Sequence, residues 1–136
     1  DAKILATDID TNMLNTGKAG LYYDSEFDEI PKKYQRYVDK RSSGNGQMQM
    51  SDAVRALISF KQLNLLEAWP MQGPFDVIFC RNVVIYFDKP TKEALFDRMA
   101  DILKPGGWLY IGHSENLHGI SNRFKLIGRT TYQRIA

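Results

Sequence analysis

The sequence predicts an α/β domain: an open, mostly parallel sheet that lacks its first strand and carries a small antiparallel β-insertion. Three observations predict it. Short apolar runs at Lys3–Asp10 and Phe75–Cys80 end abruptly in polar residues, the pattern of strands buried on both faces in the middle of a parallel sheet. A helical stripe over Lys89–Lys104 lies between strand-like runs. The chain then closes on two short runs about Gly128-Arg129-Thr130, as an antiparallel pair does at the edge of a mixed sheet.

Composition bounds the function classes. With 136 residues, 43% hydrophobic and 25% charged, the chain has apolar material for one soluble domain with a single core. No apolar run approaches the ~20 residues that cross a bilayer, so no membrane insertion is expected. The start has no basic region leading into an apolar segment, which leaves secretion without support. The single Cys80 excludes an internal disulfide and lies in an apolar strand, where a reduced thiol packs as a small hydrophobe. A cytoplasmic location fits best. The formal charge of +2, with lysines and arginines scattered among acids, gives no argument for nucleic acid. No metal site is expected.

Each element has its own signal. Lys3–Asp10 opens the chain as a strand ending in two carboxylates, Asp8 and Asp10. Asp10 or Thr11 can cap a helix over Asn12–Lys18, because a short side-chain oxygen there accepts from the free amides of the first turn. An acid at the end of the second strand of a nucleoside-binding fold can accept both hydrogen bonds of a ribose diol. Asp10 is the better placed cap, so Asp8 is the candidate for the ribose; the plain alternative is that both acids only cap the helix.

In such a fold a first strand and a glycine-rich turn precede the ribose acid. Neither is found here, and Gly17/Gly20, Gly44/Gly46 and Gly106/Gly107 read as turn or helix-end glycines. The chain is therefore expected to be a fragment whose sheet has strand edges in need of a partner, a missing segment or another chain.

From Leu21 to Ala56 the pattern loosens. Pro31–Val38 reads as a short helix with Tyr34 and Val38 on one face, followed by a polar turn over Lys40–Gly46. Tyr37-Val38-Asp39 and Gln47-Met48-Gln49-Met50 can pair as a hairpin, for which Asn45-Gly46 supplies the positive φ. This gives an inserted antiparallel subdomain over residues 36–60, suited to partner recognition; a solvated connection is the alternative. Lys32, Lys33, Arg36, Lys40 and Arg41 make it the most basic part of the chain and complementary to an acidic partner.

Leu57–Leu66 alternates loosely, as a strand ending near Asn64. Asn64 and Leu65 then reach the same sheet edge as Asp8, and an amide beside an aliphatic side chain suits the edge and face of an adenine ring. A plain Asn turn is the alternative. Phe75–Cys80 is followed directly by Arg81 and Asn82, then Tyr86, so that a planar cation, an amide and a phenol share the rim where ligands bind in open α/β sheets. In the helix over Lys89–Lys104, Leu95, Met99, Ile102 and Leu103 form the core stripe, Pro90 sits in the first turn and Pro105-Gly106-Gly107 is the stop. Trp108–Gly112 is the next strand, and His113 beyond it has no nucleophile pattern around it, which favours a structural role. Phe124–Gly128 and Thr131–Ile135 are the closing pair.

Ala6–Asp10, Leu63-Asn64-Leu65-Leu66, Phe75–Phe87 with its Phe79-Cys80-Arg81-Asn82 and Ile85-Tyr86-Phe87 blocks, Leu103–Gly107 and Gly112-His113-Ser114-Glu115 resemble, in order and spacing, the chemotaxis receptor glutamate methyltransferases. The resemblance covers nearly the whole of residues 1–136, as part of a catalytic domain. It implies a class I S-adenosyl-L-methionine (SAM) methyltransferase fold, Rossmann-like. It implies SAM as cofactor, S-adenosyl-L-homocysteine as product, and glutamates of the chemoreceptor cytoplasmic domain as substrate. By motif, Asp8 holds the ribose, Asn64 and Leu65 the adenine, and Cys80 and Arg81 line the cofactor beside Tyr86. The insertion around Gly44–Met50 is implied to dock the receptor, in some members through its C-terminal tail peptide.

The residues agree with that chemistry. A glutamate with reference pKa near ~4.3 is ionised at neutral pH, so its attack on a sulfonium methyl needs alignment rather than a strong base. Arg81 and Tyr86 are the candidate catalytic residues, one to grip a carboxylate by its planar fork and the other to orient the methyl donor or the acceptor by its hydroxyl. The competing reading is a non-catalytic protein-docking or nucleotide-binding module. A nicotinamide dehydrogenase ranks last, since the sequence has neither a Tyr followed four residues later by Lys nor a glycine fingerprint.

Overall fold

The computed structural model describes residues 1–39 and 46–136. The chain divides into two compact units, Asp1–Glu67 and Ala68–Ala136.

In the first unit, strand β1 (Ile4–Asp8) leads into helix α1 (Thr11–Ala19). The Asp10 carboxylate caps α1 by accepting from the Asn12 amide at 2.8 Å, and Gly20 ends it at φ 65, a left-handed conformation that costs glycine little. Gly17 has a different reason. A Cβ there would stand 2.6 Å from the Phe60 ring, so the missing side chain lets α1 lie close against the strand carrying Phe60. That strand, β5 (Ile58–Gln62), pairs in parallel with β1 from Ile4↔Ile58 to Asp8↔Gln62.

Between α1 and β5 come β2 (Leu21–Tyr23), two 3₁₀ helices (Asp24–Glu29 and Lys32–Tyr37), β3 (Val38–Asp39), β4 (Gln47–Met50) and the short helix α2 (Asp52–Arg55). The strands form an antiparallel sheet in the order β2-β4-β3, with Val38 opposite Met50 and Leu21 opposite Gln49. Thus Leu21–Tyr23 joins this sheet, whereas residues 58–60, at the end of the expected 36–60 span, belong to β5 of the parallel pair. The Asn45-Gly46 turn lies, apart from Gly46, outside the described residues. The helix expected over Pro31–Val38 is instead a 3₁₀ turn followed by a strand. The Gln35 amide donates to the Ile30 and Phe27 carbonyls at 3.0 and 3.4 Å, tying two tight turns together where an α-helix has no length to propagate.

The second unit contains β6 (Phe75–Cys80), α3 (Lys89–Ile102), β7 (Leu103–Ile111), β8 (Phe124–Leu126) and β9 (Thr131–Arg134). The sheet order is β6-β7-β9-β8. β6 and β7 run parallel, and β9 is antiparallel to both β7 and β8, the expected closing pair. Asp88 caps α3 by accepting from the Thr91 amide at 3.0 Å, and the Thr91 hydroxyl first, with that amide second, holds its carboxyl below the usual range. Leu95, Phe96, Met99 and Ala100 of α3 are buried, as are Leu103, Leu109 and Ile111 of β7. β7 starts at Leu103, earlier than the expected Trp108, because Leu103 pairs with Phe75 across an irregularity in the ladder. Gly106, at φ 77, turns the chain within that irregularity.

Burial on both faces, expected for the first strand and for Phe75–Cys80, does not hold. Ile4 is 50% exposed and Phe79 72% exposed. Among the described residues β1 pairs with β5 alone and β6 with β7 alone. The one helix of the second unit covers the face carrying Leu109, which leaves Phe79 on the other face to stack on Tyr110 at 4.9 Å between ring centres. Among the described residues no helix is long and apolar enough to cross a membrane.

Candidate functional site

In the first unit the parallel register carries Asp8 and Asn64 to the same carboxyl edge. The Leu63 amide donates to the Asp8 carbonyl at 3.0 Å and the Gln62 side chain to the Ile9 carbonyl at 3.1 Å, which stitches the two strand ends together. Asp8 accepts from the Asp10 amide at 2.9 Å through one carboxylate oxygen, so its side chain is held at the strand end rather than swinging freely. Asn64 opens a turn: its side-chain oxygen accepts from the Leu66 amide at 3.0 Å and its carbonyl from the Glu67 amide at 3.1 Å. Asp8, Asn64 and Leu65 are all half-buried. A fixed carboxylate can accept from hydroxyls, and an amide turn beside an aliphatic side chain offers both a donor and an apolar face.

In the second unit the chain leaves β6 through Arg81, Asn82, Val83, Val84, Ile85 and Tyr86. Asn82 adopts φ 58, the left-handed region that non-glycine residues seldom enter. Val84 is 2% exposed and pins the middle of the loop into the core, while Tyr86 is 94% exposed. Arg81 is also exposed. The loop therefore presents a cation and a phenol outward on a buried anchor.

What holds the left-handed turn is a residue that the motif contains but to which sequence reasoning assigned no role. Glu115, beyond the end of β7, accepts from the Asn82 amide at 2.7 Å and the Gly112 amide at 2.8 Å through one oxygen, and from the Val84 amide at 3.0 Å through the other. Hydrogen bonds to an ionised acceptor are roughly twice as strong as neutral ones. Gly112 is needed for this approach, since a Cβ there would lie 2.9 Å from both the Asn82 nitrogen and the Glu115 oxygen. The available signal was positional: an acid just past a strand end in a parallel sheet faces the same rim as the loop after the neighbouring strand.

Cys80 is 4% exposed and unpaired with any other cysteine. Burial, and secondarily the charge of Glu115, push its thiol up to about 12. It is thus neutral near pH 7 and packs as a small hydrophobe rather than acting as a nucleophile. His113 is exposed, in keeping with a loop position.

The sequence matches the family described as "CheR methyltransferase, SAM binding domain" over residues 1–133. It is 46% identical over 136 residues to a probable chemotaxis protein methyltransferase of Rhizobium etli, covering 98% of this chain and 51% of that protein. It is also 46% identical over 134 residues to a chemotaxis protein methyltransferase of Klebsiella aerogenes, covering 96% of this chain and 46% of that protein. The chain thus spans about half the length of the curated relatives it matches. Among solved structures, a possible exported protein from Bordetella parapertussis aligns with a TM-score of 0.50 at 17% identity, over 80% of this chain and 27% of that one, a likeness of fold alone.

Proposed function

The chain belongs to the CheR methyltransferase family as its SAM-binding domain, and on that premise we propose that the complete protein transfers a methyl group from SAM to glutamate side chains of bacterial chemoreceptors. The products are a glutamate methyl ester and S-adenosyl-L-homocysteine. The observation that carries the reading within the structure is the paired strand end bearing Asp8 and Asn64, a nucleoside-shaped set of polar groups on a parallel register.

In the first unit Asp8 accepts from the ribose hydroxyls, while Asn64 and Leu65 meet the edge and face of the adenine. In the second unit Arg81 would line the cofactor, with the buried Cys80 contributing at the strand end behind it, and Tyr86 would stand beside it. The sulfonium supplies an electrophilic methyl carbon when bound. The glutamate carboxylate forms the new O–C bond and the S–C electron pair returns to sulfur, so no proton has to move and no general base is required. The protein's task is alignment: reacting atoms held ~3–3.5 Å apart and in line. The planar fork of Arg81 grips the acceptor carboxylate, and the Tyr86 hydroxyl orients it.

The proposed reaction is a cytoplasmic one, a reading that the names of the chemotaxis methyltransferase relatives support. The antiparallel sheet β2-β4-β3, with Lys32, Lys33 and Arg36 beside it and Tyr23 67% exposed, is the proposed docking surface for the receptor, its C-terminal tail included.

The test is transfer of labelled methyl from SAM to chemoreceptor by the complete protein, with calorimetry of S-adenosyl-L-homocysteine alongside. Arg81→Ala and Tyr86→Phe are each expected to lower the rate by at least about tenfold, the loss of one hydrogen bond to a charged group. Wild-type rates in both variants remove them from the mechanism. Absence of both transfer and product binding favours a docking module instead.

A further inference from the structure

We infer that Glu115 is a positioning residue for methyl transfer: its carboxylate, bonded to the Asn82, Val84 and Gly112 amides, holds the loop between β6 and α3 in the one conformation that presents Arg81 and Tyr86 together. The inference rests on the proposed roles of Arg81 and Tyr86 and adds the group through which they act.

Within its own span the loop is held by the buried Val84 side chain and by the Phe87 amide, which donates to the Val84 carbonyl at 3.0 Å. Asn82 at φ 58 lies in the left-handed region, which asparagine enters more readily than other non-glycine residues but still at some cost, so contacts from outside the loop help to fix the turn. Glu115 supplies those contacts from 33 residues away, at the end of the adjacent strand. Each carboxylate oxygen is committed: one to Asn82 and Gly112, the other to Val84, the residue whose side chain anchors the loop in the core. The close packing of Gly112 against Asn82 and Glu115 makes the three residues a single junction. Charge matters as well as shape, because an acceptor-only group is required at both oxygens. A glutamine of the same size keeps one oxygen acceptor but turns an NH₂ toward a backbone N–H, where two donors face each other.

The test compares Glu115→Gln with the wild type in the complete protein, using methyl-transfer kinetics, thermal unfolding and amide NMR. The expected result is a cooperative unfolding transition, a kcat lower by about 10- to 100-fold, and a receptor KM at the wild-type value. The amide protons of Asn82, Val84 and Gly112 are expected to move together as they lose the carboxylate. A wild-type kcat beside slow Arg81→Ala and Tyr86→Phe variants overturns the positioning role while leaving those two residues in place. So does a slow Glu115→Gln whose three amides do not move. Wild-type rates for Arg81→Ala and Tyr86→Phe beside a slow Glu115→Gln overturn the proposed site residues, and the inference falls with them. If Glu115→Gln does not fold, Gly112→Ala provides the second arm, since its Cβ displaces the same junction with the charge intact. It is expected to lower kcat with receptor KM unchanged, and a wild-type kcat there overturns the inference.

Discussion

Strands β1 and β7 are both apolar, yet they end in different environments. Leu109 and Ile111 of β7 are 0% exposed, whereas Ile4 and Leu5 of β1 are 50% and 37% exposed. β7 has strands on both sides, β6 and β9, whereas among the described residues β1 has a strand on one side, β5; each also has a helix against it, α3 on β7 and α1 on β1. Apolar composition specifies that a segment can be a strand, but neighbours decide how much of it leaves water. The candidate residues of the two units follow the same contrast. The proposed ribose acid Asp8 is held mainly by bonds to nearby backbone, while the loop bearing Arg81 and Tyr86 is held by a carboxylate and a buried valine.

The contrast is broken most directly in the core. Leu109→Ala removes a fully buried side chain and is expected to cost about 2–5 kcal/mol, transfer and cavity terms together. Trp69 and Trp108 both lie in the second unit, so tryptophan fluorescence in a urea titration reads that unit's transition. A loss below about 1 kcal/mol there means that the β7 face is less enclosed than its burial implies.

A smaller effect comes from Cys80. Its pKa in the folded chain is raised from 9.0 to about 12. Above pH 9 the unfolded state therefore releases the thiol proton while the folded state keeps it. The stabilisation is complete below about pH 9 and is lost as pH rises toward about 12, at no more than about 1.4 kcal/mol per pH unit. Cys80→Ala is expected to flatten that part of the curve of unfolding free energy against pH. An unchanged slope means that the thiol is not desolvated.

The smallest effect belongs to β1. Ile4→Ala takes away a half-exposed side chain and is expected to cost about 1 kcal/mol or less. Hydrogen exchange of the Leu63 amide, which donates to the Asp8 carbonyl, reports it locally. A loss comparable to that of Leu109→Ala erases the distinction between the strands.

Much of this was legible in the residues. Asp10 before a helical stretch is a cap by the reach of its side chain, and Gly20 after it is an end by its tolerance of positive φ. The alternation in Leu57–Leu66 and the motif after Phe75 located the two strand ends that carry the candidate site. Where the expectations erred, the cause was non-local. The segment 31–38 has enough helix formers for a turn, but its Gln35 side chain donates to the Phe27 and Ile30 carbonyls of the preceding turn and its last residue pairs with Met50. Leu103 completes a helical stripe by spacing, yet pairing with Phe75 draws it into β7.

The sequence by itself determined the local features: the strand-forming runs, the caps, the lone reduced thiol and the residues at each strand's carboxyl end. These depend on side-chain reach, backbone preference and the period of apolar residues, all of which act within a few positions. Only the tertiary structure decided which faces are covered, that Leu21–Tyr23 joins the antiparallel sheet, and that Glu115 closes on the amides of Asn82 and Val84. Burial and a hydrogen bond between residues 33 positions apart arise when neighbouring strands set their loops at one edge, and no spacing along the chain encodes that meeting.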